Sequence, residues 1–323
     1  MKTTFMKTTK SALALAQEVL RVAEDSYPAY SCLKSPQKFT QPQLVACLVV
    51  KEFLRLDYRG MATRLEEWAE LRQVLGLKRV PHFTTLCAAH KRLFRKPQAD
   101  RLMDQVIRQC QRRGLLSRKS PLAAIDSTGL ESRHVSHYFT HRCQRQSAHW
   151  KRRYPKLSAI CDALSHLVLG AVFDRGPKVD HCEFEPTLRS AVRRQRMTTL
   201  VGDAGYDSEP GHRLCRHTFG IRSIFPVTCR GRLRHDGQPR VTGGTYRRRL
   251  FRHFPKEQYG QRWQIETTFS MIKRLLGSAL RARHYHSQCR EMYLRVITFN
   301  LMILWSRLLC FLQSRDEPVF LTS

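Results

Sequence analysis

The sequence Leu122-Ala-Ala-Ile-Asp126 decides the fold class, because the chain changes there from a helical to an extended pattern. Four apolar residues end in a carboxylate and are followed by Ser-Thr-Gly, which is typical of a short buried strand that enters a polar turn. Further strands are predicted at residues 157–162, 167–173, 199–203 and 222–227, with helices at 183–194 and 208–218. Strands mixed with helices predict an α/β core that starts near residue 121.

The part of the chain before this point is predicted to be helical, because apolar residues recur there at helical spacing. Helices are predicted at residues 41–56 and 80–94, and a helix or helix pair is predicted at residues 61–77. Thr40 is a candidate N-cap for the first of them. Short basic helices joined by tight turns are typical of DNA readers, and the candidate reading helix is 82–95, with Lys91 and Arg92 exposed. The alternative is a helical domain that only braces the rest. The predicted domains are 1–118, helical, and 119–323, α/β.

The charge of the chain predicts a polyanionic partner. Its 57 Lys and Arg residues against 26 Asp and Glu give a formal net charge of +31. A folded protein with so much self-repulsion is usually neutralised by nucleic acid, so double-stranded DNA is the expected partner. An anionic membrane is the alternative, but we find no basic amphipathic helix with Trp or Phe in the sequence. The apolar run at 296–305 is shorter than the ~20 residues that span a bilayer.

The cysteines give no metal-binding motif. Eleven are scattered along the chain, and no pair has Cys-x2-Cys spacing, so no zinc finger or zinc ribbon can be assigned. The odd number and the scatter are typical of reduced thiols and predict a cytoplasmic protein.

A second informative stretch is Tyr259-x2-Arg262-x3-Glu266-x6-Lys273. A helix is predicted from residue 256 to 276, and at about 100° per residue these four side chains share a stripe roughly 60° wide. One carboxylate among cations suits a site that holds a metal ion against a phosphodiester. Arg262 and Lys273 would grip DNA phosphates, while Tyr259 would donate to a phosphate oxygen or stack on a base. The simpler alternative is an amphipathic helix with an i, i+4 pair between Arg262 and Glu266.

Basic and aromatic residues beside this stripe are further candidate DNA contacts. Residues 228–254 hold eight Arg with little apolar periodicity, which predicts a basic loop, and Arg247 and Arg248 are the candidates within it. Trp263, at the edge of the stripe, is either a core residue or a platform on which a base stacks. Residues 291–311 predict a last large helix that is apolar enough to pack under the sheet.

Two strand ends and the stripe supply three carboxylates to one predicted site. Asp126 and Asp203 each close an apolar strand and precede a polar turn, and functional groups gather beyond the carboxyl ends of strands in α/β sheets. Either aspartate alone could be a turn former. Together with Glu266 they form a set of hard oxygen ligands that suits two Mg²⁺ ions, with Mn²⁺ as a substitute.

These motifs together resemble the DDE transposases of bacterial insertion sequences, in the broad group of insertion-sequence families four and five. That group shares a Tyr-x2-Arg-x3-Glu-x6-Lys signature, which is present here without a gap from Tyr259 to Lys273. Asp126 in Ala-Ile-Asp-Ser-Thr resembles the first acid of the group, and Asp203 in Gly-Asp-Ala-Gly-Tyr-Asp-Ser resembles the second. The resemblance covers about residues 40 to 305. It implies a ribonuclease H-like catalytic core, a two-metal Mg²⁺ mechanism and a homodimer in the DNA complex.

The resemblance implies an active transposase that binds terminal inverted repeats, cleaves the element ends and joins their 3′-hydroxyls to target DNA. The alternatives are an inactive or repurposed DNA-binding protein, and a metal-dependent nuclease or resolvase without strand transfer. The intact Asp126, Asp203 and Glu266 argue against an inactive copy. Asp207 is a fourth acid nearby and is not predicted to be a ligand. The protein is expected at the nucleoid in the bacterial cytoplasm, without a membrane partner.

Overall fold

The computed structural model describes residues 9–32, 34, 36–132, 142, 145, 153–229, 241 and 244–313, and their side chains up to residue 305. Within these residues the chain divides into two compact units. The first runs to Leu115 and also takes in residues 275–277 and the chain from Arg290 on, while the second comprises Leu116–Arg274 and Ser278–Cys289. None of the described helices is both long enough and apolar enough to cross a membrane.

The first unit is built from helices, as predicted. They are α1 (Ala12–Glu24), α2 (Gln41–Phe53), α3 (Tyr58–Glu67), α4 (Ala69–Val74), α5 (Phe83–Leu93) and α6 (Lys96–Arg112). Thr40 caps α2: its hydroxyl accepts from the N–H of Gln43 at 3.2 Å, and the Gln43 side chain accepts from the N–H of Thr40 at 2.9 Å. Of the helix or helix pair predicted at 61–77, the structure has the pair: α3 and α4 are separate because Trp68 has an extended backbone with φ −105° and ψ 90°.

The second unit is an α/β fold around one mixed sheet, which confirms the predicted fold class at that level. Its elements are β1 (Ser120–Gly129), β2 (Glu131–Ser132), β3 (Tyr154–Asp162), β4 (Val168–Gly176), α7 (His181–Val192), β5 (Met197–Gly202), α8 (Glu209–Arg213), β6 (Arg222–Ile224), α9 (Thr245–Arg252), α10 (Lys256–Gly260), α11 (Trp263–Leu276) and β7 (Ala279–Leu280). Five strands form the sheet in the order β4-β3-β1-β5-β6, and β2 pairs with β7 apart from it.

The central strand β1 joins the antiparallel and parallel halves of the sheet. On one side β1 and β3, and then β3 and β4, are antiparallel. On the other side β1, β5 and β6 are parallel, and the register sets Ile125 opposite Gly202, where the pairing of β1 with β5 ends. The next residues on the two strands, Asp126 and Asp203, therefore come to the same edge of the sheet. β1 ends at Gly129 rather than at Asp126 as predicted, because its pairing with β3 continues.

The long helix predicted around the signature is interrupted. A turn at Gln261 and Arg262 separates α10 from α11. Glycine loses more backbone entropy on folding than any other residue, so Gly260 weakens a helix at this point. Tyr259 therefore lies on a different helix from Glu266, and the predicted single stripe of four side chains does not form.

The predicted basic loop at 228–254 is partly helical, since α9 lies within it. The side chain of Leu250 is 5 % exposed, so α9 has an apolar anchor that the arginine-rich sequence around it obscured. Residues 230–240, 242 and 243 of the predicted loop lie outside the described residues.

The last helix, α12 (Tyr285–Gln313), belongs to the first unit from Arg290 on. Arg295 is buried in this part, and its guanidinium donates to Glu52 of α2 at 2.8 Å and to Glu291 at 2.9 Å. Breaking a buried ion pair is strongly destabilising, so these contacts tie α12 to the helical unit. Its packing under the sheet stays a prediction.

Candidate active site

Asp126 and Asp203 are held by local hydrogen bonds at the edge where β1 and β5 part. The N–H of Ser127 donates to Asp126 Oδ1 at 2.8 Å. Asp203 begins a 3-10 turn, and its Oδ1 accepts from the N–H of Gly205 at 2.9 Å. Asp203 is among the charges that act on the carboxyl group of Asp126. The two predicted aspartates are therefore electrostatic neighbours, as the parallel register requires.

Glu266 reaches the same site from the first turn of α11. Its Oε1 lies 2.6 Å from Nη2 of Arg262, and Nη1 of Arg262 lies 3.7 Å from Oδ2 of Asp126. One guanidinium thus stands between two of the three predicted carboxylates. Asp126 and Glu266 also line one cleft together with Lys273, so the structure brings two carboxylates and two cations of the prediction together.

The electrostatic surroundings of Asp126 disfavour its ionised form. Burial raises the pKa of Asp126 to about 6, and the negative charges of Asp203 and Asp180 contribute to the rise. The N–H of Ser127 and the guanidinium of Arg262 oppose it but do not cancel it. A perturbed acid in a cleft is typical of a functional site, and a bound cation would favour the carboxylate.

Lys273 lies seven residues after Glu266 on α11 and anchors that helix to β1. Its Nζ donates to Oγ1 of Thr128 at 2.6 Å, and burial lowers the pKa of its ammonium group. Thr128 is two residues beyond Asp126, so both side chains point to one face of β1. We call this the catalytic face, and Arg262, Glu266 and Lys273 all reach it.

The other predicted DNA contacts lie in varied surroundings. The ring of Tyr259 packs against Phe254, with 5.0 Å between the ring centroids. Trp263 is 50 % exposed, so it is not a core residue, which leaves the stacking platform as the remaining alternative. Three predicted contacts are exposed on their helices: Arg248 on α9, and Lys91 and Arg92 on α5 of the first unit.

Arg247 has a structural partner that the sequence did not reveal. Its guanidinium donates to the carboxylate of Asp207 at 2.8–3.1 Å and to the carbonyl of Thr228 at 2.8 Å. The N–H of Thr228 donates to Asp207 at 2.8 Å, and His212 Nε2 lies 3.6 Å from it. Burial alone would raise the pKa of Asp207, but the nearby imidazole of His212 and hydrogen bonds from Arg247 and Thr228 hold it at about 2. The guanidinium of Arg247 is therefore engaged by Asp207 and Thr228 within this unit.

The sequence analysis missed four polar residues that contact one another behind β1. They are Ser127, Lys156, Asp180 and Glu183. One signal was present, because Lys156 is a charged residue near the start of the largely apolar β3. A lysine at such a position is rarely buried unless it is paired. Nothing in the sequence identified its partners, which come from the start of α7.

The donor atoms of the site suit a divalent cation. Among the described residues, no three His, Cys, Asp or Glu side chains are already grouped around a metal position. Asp126, Asp203 and Glu266 nevertheless offer the hard oxygen atoms that Mg²⁺ and Mn²⁺ prefer, and Asp126 lacks a full counter-charge. Glu266 would have to exchange Arg262 for the ion.

Comparison with known proteins identifies the second unit. The family model of the transposase DDE domain matches residues 117–301, more than half of the chain. Among solved structures, the chain is similar to a piggyBac transposase in a cryo-EM structure of its synaptic complex with hairpin DNA, at 10 % identity and a TM-score of 0.47. That match covers 95 % of this chain and 76 % of the other. No curated protein matches the sequence.

Proposed function

The chain belongs to the transposases with a DDE domain, and from this we propose that it cuts DNA at the ends of an insertion sequence and joins those ends to target DNA. It would recognise the terminal inverted repeats and leave 3′-hydroxyl ends that attack the target. In this proposal the mixed sheet is a ribonuclease H-like core of the insertion-sequence family four and five group. The reaction would take place on DNA in the bacterial cytoplasm.

One observation supports the proposal: Asp126 neighbours Asp203 along the sheet and shares a cleft with Glu266, although the three acids are far apart in sequence. A turn-forming aspartate needs no such neighbours. A helix-stabilising Glu266–Arg262 pair would not need Asp126 within 3.7 Å of the same guanidinium. The local alternatives for each residue therefore do not account for the arrangement.

Transposases of this family generally use divalent metal ions. We propose that Asp126, Asp203 and Glu266 hold two Mg²⁺ ions, for which Mn²⁺ can substitute. When bound, such ions activate a water or a 3′-hydroxyl and stabilise the leaving oxygen of an in-line displacement. Arg262, released from Glu266, would be available to a DNA phosphate.

The surplus of positive charge then has a role in holding DNA. Arg262 and Lys273 would contact phosphates next to the scissile bond, and Trp263 offers an exposed face on which a base can stack. Tyr259, whose ring packs on Phe254, would contribute its hydroxyl. Further phosphate contacts are proposed at Arg248, Lys91 and Arg92. Two copies of the chain would act together, one at each DNA end.

The proposal is tested by cleavage and joining in vitro. Purified protein is incubated with Mg²⁺, labelled DNA segments that flank the gene on each side, and a target plasmid. Wild type is expected to nick the segments at their inverted repeats and to join them to the plasmid. Glu266→Gln should bind the segments but neither cut nor join. Glu257→Gln on α10 is the matched control, since this glutamate is exposed and lies outside the cleft.

The other possible results distinguish the alternatives. Wild type that binds the flanking DNA and never cuts it would support an inactive DNA-binding protein. Cutting without joining would identify a nuclease or resolvase. Normal cutting by Glu266→Gln would remove Glu266 from the catalytic set.

A further inference from the structure

A buried polar network lies behind β1, and Lys156 is its centre. Lys156 is 3 % exposed. Its Nζ lies 2.7 Å from Oδ1 of Asp180, 2.8 Å from Oε2 of Glu183 and 2.7 Å from the carbonyl oxygen of Lys178. The ammonium group has three hydrogens, and each has an acceptor here. Ser158 adds a hydroxyl that donates to the same oxygen of Glu183 at 2.5 Å.

Ser127 connects this network to the catalytic face. Side chains alternate between the faces of a strand, so Ser127 points away from the face that carries Asp126. In the register of β1 with β3, Ser127 is opposite Ser158, which places it over the network. Its hydroxyl donates to Oδ1 of Asp180, and its N–H donates to Oδ1 of Asp126 at 2.8 Å. One residue therefore holds an acid on each side of the strand.

We propose that Asp180, clamped by Lys156, is a positioning residue that aims the carboxylate of Asp126 at a bound divalent cation. Asp180 fixes the hydroxyl of Ser127, and Ser127 fixes Asp126 through its N–H. The inference rests on the proposed function, because it takes Asp126 to be a metal ligand. Groups that orient a metal ligand matter: their loss typically lowers metal affinity or activity roughly 10–100-fold.

The charges of the network favour this role over a purely structural one. Asp180 and Glu183 share a single ammonium group, so one negative charge of the network has no partner cation within it. This excess lies next to Asp126 and contributes to its electrostatic surroundings. A network built only for stability would gain from balanced charges, whereas a cation at Asp126 balances this one.

Tyr206 provides a second, independent observation. Its side chain is fully buried, and its hydroxyl has no hydrogen-bond partner among the described residues. Burial raises the pKa of Tyr206 well above its usual range, and the charges of Asp180, Asp126 and Asp203 add to this rise. The acids whose charges act on the phenol group are therefore those of the network and of the candidate metal site. Buried hydroxyls are nearly always hydrogen-bonded, so this one is expected to have a partner that the described residues do not supply.

The proposal is tested by Mn²⁺ binding without DNA, followed through the loss of the electron paramagnetic resonance signal of free Mn²⁺. Ser127→Ala and Asp180→Asn are expected to weaken Mn²⁺ binding roughly 10-fold or more. Ser127→Thr keeps the hydroxyl and suits a strand, so it should retain wild-type binding. Glu257→Gln on α10 is the matched control, because Glu257 is exposed, is in the same unit and lies outside both the cleft and the network.

Two further measurements separate positioning from folding. The melting temperature reports stability, and affinity for flanking DNA in the absence of metal reports the DNA surface. We expect Ser127→Ala to change both far less than it changes Mn²⁺ affinity. In the cleavage assay, a higher Mn²⁺ concentration should restore part of the rate. A loss that follows the melting temperature and is not restored by Mn²⁺ would overturn the proposal.

Mn²⁺ binding also keeps this inference distinct from the proposed function. Suppose that wild type binds Mn²⁺, that Asp126→Asn does not, and that neither protein cuts DNA. The proposed reaction is then wrong, but Mn²⁺ binding by the Ser127 and Asp180 variants still decides the positioning role. The positioning role is wrong if Ser127→Ala and Asp180→Asn bind Mn²⁺ as wild type does. It is equally wrong if Asp126→Asn binds Mn²⁺ normally.

Discussion

Asp126 and Asp207 lie in the same unit and are both shielded from water, yet their surroundings treat the negative charge in opposite ways. The side chain of Asp207 is fully buried and accepts hydrogen bonds from Arg247 and the N–H of Thr228. Its pKa is held at about 2. The side chain of Asp126 is 18 % exposed, and its nearest cation is 3.7 Å away. Burial and neighbouring acids raise the pKa of Asp126 to about 6.

The comparison shows that the protein supplies a full set of partners for the carboxylate of Asp207 but not for that of Asp126. At Asp207 the fold supplies every partner, so the carboxylate supports the structure around α8 and α9. At Asp126 the counter-charge is incomplete, which supports the proposed binding of a cation there. Asp207 lies only four residues after Asp203, and both follow the same strand. The surroundings of Asp203 and Asp207 therefore depend on which residues contact them in the fold and not on how close together they lie in the sequence.

The variant Asp126→Asn gives the strongest test of this contrast between Asp126 and Asp207. We expect the variant to lose DNA cleavage altogether, because the amide cannot replace a charged metal ligand. At pH 7 its stability should not fall, since the amide removes a charge that the fold disfavours. Cleavage of labelled flanking DNA and unfolding in urea measure the two effects. Glu257→Gln, at an exposed residue of α10 outside the cleft, should retain cleavage. A variant that cuts at the wild-type rate would refute the role of Asp126.

Asp207→Asn should give the opposite result. Loss of the charge leaves Arg247 beside a neutral partner in a buried site, and breaking a buried ion pair typically lowers the free energy of unfolding by about 3 kcal/mol. Urea unfolding at pH 7 measures this loss. Arg247→Met should destabilise as well, and the double variant by less than the sum, because each single change already breaks the pair. Mn²⁺ affinity should not change, and a loss of Mn²⁺ binding in Asp207→Asn would make Asp207 part of the metal site.

Much of the α/β unit could be predicted from the sequence because its strands are marked by apolar runs. The predicted strand at 122–126 lies within β1 and the one at 199–203 corresponds to β5, so the two aspartates that follow their paired parts could be placed at one edge. The interruption before Trp263 could not be predicted from periodicity, since the residues on both sides keep helical spacing. Only the turn at Gln261 and Arg262, favoured by Gly260, separates the two helices.

The candidate site was predictable where its residues lie in contiguous motifs and not where they pair across the chain. Glu266 and Arg262 are four residues apart, so their ion pair could be expected from helical spacing. The pairing of Arg247 with Asp207 spans 40 residues and depends on where α9 packs. The contacts of Lys156 could not be predicted for the same reason, because its acceptors come from α7 and from the turn before it.

The two aspartates should also give opposite dependences of stability on pH. An unfolded aspartate titrates near about 3.9. The lowered pKa of Asp207 contributes stability above about pH 4, and this is lost as the pH falls towards 2. The raised pKa of Asp126 acts in reverse: the native state binds the extra proton between about pH 4 and pH 6, so its contribution falls as the pH rises through this window.

The smallest expected effect is therefore the difference in the free energy of unfolding between wild type and Asp126→Asn. It should be near zero at pH 4 and reach about 2 kcal/mol in favour of the variant at pH 7, after an allowance for the water that still reaches Asp126. Urea unfolding across this pH range measures it. Added Mn²⁺ should stabilise wild type and so reduce this difference between the two proteins, because an ion that binds the carboxylate of Asp126 stabilises its charged form. A difference that is constant with pH would mean that Asp126 has a normal pKa, and the contrast with Asp207 would then be one of burial alone.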